Sequence, residues 1–151
     1  MPDNWIRIIP EQPDLVPDDE RQRRAISYFR RLMWRAAEIR VSVNDQIAFI
    51  DCGSNFENVA CPSCGVKIDI DSWLGWMDED FDGKGFTFSE RLMPCCGVKH
   101  TLHELRYQFP QGFARFELSA MNPAVEGLTE DQSSKFEQIL GCRVRIIHQR
   151  I

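Results

Sequence analysis

No stretch of the chain approaches the ~20 consecutive apolar residues that cross a bilayer. The start, MPDNWIRIIPEQPD, has no basic segment leading into an apolar run. Neither a membrane span nor a signal peptide is expected, and a cytoplasmic location follows as the expectation. No internal repeat and no low-complexity tract is visible. Positive charge is in short supply, since 18 Lys and Arg face 23 Asp and Glu and leave a formal charge of −5. The molecule as a whole therefore repels phosphate backbones, and binding nucleic acid would need a local basic patch. Ten phenylalanines and 43% apolar residues can supply a core for 151 residues, which suit one domain or one domain with a small insertion.

Along the chain, NWIRII (4–9) reads as a short strand and the proline- and acid-rich run after it as a loop. A helix is predicted from about Asp18 to Ala37, because Ile26, Phe29, Leu32, Met33, Ala36 and Ala37 recur on one helical face. IRVSV and QIAFID read as strand material, either two strands about a turn at Asn44-Asp45 or one bent strand. FARFELSA (113–120) alternates as a strand does. Thr129 with Gln132 forms a capping-box pattern before a helix carrying Phe136, Ile139 and Leu140, which Gly141 stops. CRVRIIHQRI closes as a strand. With the middle removed the order is β-α-β-β-α-β. The predicted fold class is therefore α+β, a ferredoxin-like sandwich formed by residues 1–52 and 113–151. Residues 53–112 are an inserted lobe with seven of the nine glycines and four of the six cysteines.

Six cysteines in a chain expected to stay reduced, four of them in two tight clusters, point to metal rather than disulfides. CPSCG (61–65) resembles the knuckle of zinc ribbons, where a tight turn aims two thiolates at one ion. Aligned with it, MPCCG (93–97) keeps the proline, Cys96 and the glycine, while Met93 takes the place of the first cysteine and Cys95 falls on the variable position. Structural zinc takes four ligands in a closed tetrahedron. Cys61, Cys64, Cys95 and Cys96 are the predicted set, with His100, His103 and Cys52 as alternatives for the fourth position. Cys52 and Cys142 otherwise read as core residues. With few core-forming residues of its own, the lobe would depend on the ion, whose apparent binding free energy in small modules is on the order of 10–16 kcal/mol. CPSC also matches a thiol-oxidoreductase motif, but the VKIDI after it reads as strand, and the redox reading needs a helix N-terminus.

Other patterns stop short. DEDFDG (78–83) matches the first half of a calcium loop, with Asp78, Asp80, Asp82 and Gly83 in place, but the twelfth position is Ser89, so calcium is not assigned. HTLHEL has Tyr107 where a zinc protease would place its second histidine, and DGKGF lacks the spacing of a phosphate loop. No nucleophile–base constellation is found, and enzymatic activity is not expected. Arg24, Arg31 and Arg35, with Arg21 and Tyr28, would line the outer face of the first helix and could hold phosphates, although a solvated face is the preferred reading. Trp73, Trp76, Met77 and Phe81 follow helical spacing in the lobe, as a small core or a docking surface.

The run PCCG…LHELRYQFPQGFARFEL resembles a group of small bacterial proteins, and that likeness implies no activity. The expectation is a zinc-stabilised module that binds another protein, of the kind a small acidic immunity or adaptor protein represents. The alternatives are a nucleic-acid-binding zinc-ribbon protein and a CPSC thiol oxidoreductase.

Overall fold

The computed structural model describes residues 2–151. The first strand, β1 (Asn4–Pro10), buries residues on both of its faces, so neither side of the sheet is simply solvated. Helix α1 (Asp19–Leu32) follows, capped by the Asp18 carboxylate, which accepts the N–H of Arg21, with Asp19 and Glu20 in its first turn. It ends earlier than the apolar periodicity predicts. Met33 leaves the helical region, its N–H still bonded to the Phe29 carbonyl, and the chain then turns into β2 (Glu38–Ile50). Ala36 reaches the core from this turn rather than from a helix.

The IRVSV and QIAFID segments are one strand. β2 runs through Asn44 and Asp45 without a tight turn, and its pairing slips between Val43 and Ala48. Arg115 Nε holds the irregular part by donating to the Asn44 carbonyl at 3.0 Å. Its partner is β7 (Gly112–Met121), and α3 (Glu130–Leu140) and β8 (Val144–Arg150) complete the frame. The reciprocal bonds of the Thr129–Gln132 box are made at 3.1 and 2.9 Å, and Gly141 closes α3 at φ +73°.

The four long strands lie in the order β2-β7-β1-β8, each neighbouring pair antiparallel. The chain is thus α+β. Helices α1 and α3 share one face of the sheet. Ile6 and Ile8 of β1 and Phe116, Leu118 and Ala120 of β7 point to that face and meet Ala25, Phe29, Phe136 and Ile139. The other face is not a plain solvated one, because Glu117 is only 7% exposed. The Arg7 guanidinium lies between Glu117 and Gln149 and donates to both. Burial raises the Glu117 carboxyl above its usual range, and the Arg7 charge opposes that rise.

Between β2 and β7 the chain adds β3 (Asn58–Ala60), α2 (Ile70–Asp80), β4 (Arg91–Leu92), β5 (Lys99–His100), one 3-10 turn (Leu102–Glu104) and β6 (Arg106–Gln108). β3 pairs with β6, and β4 with β5. VKIDI is not a strand: Lys67 makes one bridge, Asp69 caps α2, and Ile70 is helical. The segment is also richer in core residues than expected. Val59, Cys61, Ile68, Trp73, Met93, Leu102 and Leu105 are buried together, and Phe113 of β7 is part of the same cluster. Trp73 stacks on Phe56 at 5.4 Å, while Phe81 stays 44% exposed. Among the described residues, no helix is long and apolar enough to cross a membrane.

Candidate metal centre

Each of the two cysteine segments folds into the same turn. In the first, Cys61 N–H donates to the Val66 carbonyl and Gly65 N–H to the Cys61 carbonyl, both at 2.9 Å. In the second, Met93 N–H donates to the Val98 carbonyl at 2.9 Å and Gly97 N–H to the Met93 carbonyl at 2.8 Å. Gly65 and Gly97 have φ of +76° and +74°, the left-handed conformation that a side chain disfavours. Position by position Met93 is the counterpart of Cys61, Cys96 of Cys64 and Cys95 of Ser63. The Met93 side chain, 2% exposed, fills the lobe core from the first-cysteine position instead of supplying a ligand.

The sulfur atoms of Cys61, Cys64, Cys95 and Cys96 all lie within 4.8 Å of one another. Cys61 and Cys96 are 3.7 Å apart and Cys64 and Cys95 3.2 Å. A tetrahedron of thiolates at the usual zinc–sulfur length of about 2.3 Å has edges of about 3.8 Å. Four cysteines thus sit where they could hold one metal ion, with the adjacent pair reaching the same point from one turn. For Cys61, desolvation works to raise the thiol pKa, but the Cys64 and Ser63 amides and the thiols of Cys95 and Cys96 hydrogen-bond to the sulfur and hold it at about 6. In the same set Cys95 is pushed up to about 12, first by its hydrogen bond with Cys64 and then by desolvation. Thiolates gathered this closely repel one another, and a cation among them removes that repulsion, which is the electrostatic basis of a metal-thiolate centre.

The alternative fourth ligands lie elsewhere. Cys52 is buried, and its Sγ and N–H both turn to the Gln111 side-chain oxygen, at 3.3 and 3.1 Å. Cys142 packs at the edge of the helix-side core. His103 lies tilted against Phe88 with ring centroids 5.7 Å apart, and burial followed by the Arg145 charge lowers its pKa. His100 is near the cysteine turns but outside the sulfur set, with Nε2 at 2.6 Å from Ser63 Oγ and Nδ1 at 2.9 Å from Glu104 Oε2. The other Glu104 oxygen accepts from the Thr101 N–H and hydroxyl. Hydrogen bonding to His100, ahead of the Thr101 contacts, keeps the Glu104 carboxyl below the usual range. The carboxylate only accepts, so Nδ1 carries the proton, and in the neutral ring Nε2 accepts from the Ser63 hydroxyl.

Sequence reading finds no such serine–histidine–carboxylate line, because Ser63 and His100 stand 37 residues apart. The only signal is the two-turn alignment, which sets the turns side by side. The line resembles a nucleophile and base, but the Ser63 and Cys64 amides are directed at Cys61 sulfur and the Gly65 amide at the Cys61 carbonyl. The turn thus spends these donors on its own sulfur and backbone, where acyl chemistry would need them for an oxyanion. The line serves instead as a brace that ties the first cysteine turn to β5 and the 3-10 turn. His100→Ala is expected to speed removal of a bound metal by a colorimetric chelator about tenfold, the usual scale for outer-shell partners. His100→Gln, which can still accept from Ser63, should recover part of that loss.

The acidic stretch does other work than calcium binding. Asp80 is 2% exposed and accepts the N–H groups of Thr87, Phe88 and Ser89 at 2.8–2.9 Å. Asp82 accepts the N–H groups of Lys84 and Gly85 at 2.9 Å. Both carboxylates are thus committed to shaping the loop after α2. On α1 the outer-face reading also changes. Tyr28 is half-buried with its ring 4.9 Å from Phe136, and Arg21 turns to Asp18 and the Ile139 carbonyl.

Compared with known proteins, the chain matches no protein-family model, no curated protein and no solved structure. The case for a metal therefore rests on the geometry of Cys61, Cys64, Cys95 and Cys96.

Proposed function

We propose that the protein is a zinc-stabilised module that binds another protein, built as a zinc-ribbon-like lobe on a ferredoxin-like frame. The carrying observation is the convergence of four sulfurs from two like turns onto one point. Cysteine-only ligation favours zinc over magnesium or calcium, which take oxygen. With all four tetrahedral positions assigned to sulfur, none remains for water or substrate, and this supports a structural rather than catalytic ion. For the frame, the order β2-β7-β1-β8 with both helices on one face is that of a β-α-β-β-α-β sandwich and supports the ferredoxin-like assignment.

Protein binding is supported by what the cysteine turns display. Val66 and Val98, which follow the two turn glycines, are 52% and 45% exposed, and Leu92 is 63% exposed. Apolar side chains held out by a rigid centre are suited to a protein partner. The test uses the zinc-loaded chain as bait in lysate of its own source cells, beside a V66D/V98D variant that keeps its zinc. Stoichiometric capture of one protein by the wild type and its loss by the variant is the expected result. A wild type that holds zinc and captures nothing at stoichiometric level overturns the protein-binding reading.

A further inference from the structure

Six of the 18 basic residues of this acidic chain fall between Arg21 and Arg35. Arg23, Arg24, Arg30 and Arg31 of α1 are exposed, as is Lys135 of α3. Among the described residues none of these five makes an ion pair, whereas Arg7, Arg21, Arg40, Arg91 and Arg145 each do. Two surface hollows meet here. One, of about 750 Å³, is lined by Arg23, Ile26, Ser27, Arg30, Arg31 and Trp34. The other, of about 340 Å³, shares Arg23, Ser27 and Arg31 and reaches across to Lys135 and Ile139. Together they form a shallow trough along α1 and between the two helices, with cationic walls and apolar residues in its floor. Trp34 stands at one end, 72% exposed, with the Arg35 guanidinium 4.6 Å from its ring.

We propose that this trough docks a short acidic segment of a protein partner, with an apolar residue of that segment seated on Trp34. Five cations without an ion pair, in a chain of net −5, make a local patch of the sign opposite to the whole, which favours an anionic ligand. Arginine and tryptophan are the residue types that dominate binding energy at protein interfaces. The length of the trough sets the class of ligand. Asp18, Asp19 and Glu20 stand at the start of α1, and Glu130 and Asp131 at the start of α3. From Arg23 to its end at Leu32 the helix rises about 14 Å, the reach of about four extended residues. A uniformly charged nucleic-acid strand continues past that length into carboxylates, while a few acidic residues do not. The inference rests on the protein-binding reading above and names the chemistry of the partner.

The test titrates two fluorescein-labelled probes, a Glu-rich octapeptide with one Phe and a single-stranded thymidine oligonucleotide, into the zinc-loaded chain, read by fluorescence polarisation. The variant R23E/R31E is compared with K67E/R106E, which makes the same change in charge on the lobe. The peptide should bind the wild type and K67E/R106E alike, and R23E/R31E at least tenfold more weakly. Trp34→Ala should weaken the Phe-containing peptide more than its Phe→Ala form. Tighter binding of the oligonucleotide than of the peptide makes the trough a nucleic-acid site and overturns the proposal. Equal binding of the peptide by R23E/R31E and K67E/R106E, or no binding to the wild type, overturns it as well. Neither result touches the lysate capture, which can still succeed through the lobe.

Discussion

Cys96→Ser is expected to strip the metal from the protein and to unfold the lobe while the sheet persists. The substitution removes one of four thiolates, and zinc bound by complete sets contributes on the order of 10–16 kcal/mol in small modules. That is comparable to the about 5–15 kcal/mol that stabilises a whole domain, so the lobe is not expected to absorb its loss. Native mass spectrometry should find one zinc per wild-type chain and none in the variant. Trp73, stacked on Phe56 and 5.9 Å from the Tyr107 ring, should report the change as a red-shifted emission. The wild type should lose its zinc on acidification, because protons compete for thiolates and only the deprotonated groups bind the ion. A wild type that is metal-free, with Cys64, Cys95 and Cys96 open to alkylation and Trp73 still buried, would end the zinc reading.

Phe113→Ala should be among the most destabilising single changes in the chain, by about 3–5 kcal/mol. Phe113 is fully buried at the start of β7, its ring 5.1 Å from Phe49, 5.0 Å from Phe86 and 5.1 Å from Phe88. Two of those rings come from the loop after α2 and one from β2. One side chain therefore joins the lobe core to the sheet. Urea unfolding followed by Trp emission should show the midpoint fall, and zinc should be released at correspondingly lower urea. If zinc release keeps its wild-type midpoint while the sheet unfolds early, the two cores are not coupled through this ring.

Much of the frame can be read from local pattern. The face of α1, the Thr129–Gln132 box and the Gly141 stop are short-range features, and local physics decides them. The bulged course of β2 is different. Asn44-Asp45 favours a turn locally, but pairing with β7 on both sides of the irregularity outweighs that preference. The early end of α1 has the same origin, since Ala36 serves the core as well from a turn as from a helix. At the site, the four sulfurs can be named from spacing because each turn is local. The Ser63–His100–Glu104 line cannot, because it exists only once the fold has brought His100 of β5 beside the first turn. Nor does alternation show that Glu117 is buried, for its partner Arg7 lies 110 residues away.

The match between the two cysteine turns has a consequence for how such centres arise. Their backbone form depends on the glycine and on two main-chain hydrogen bonds, and none of these notices which corner of the loop carries the thiol. A coordinating group can thus migrate from the first position to the third, as Cys95 stands in for Met93, while the loop keeps its shape. The same freedom predicts that M93C/C95S would still gather four thiols.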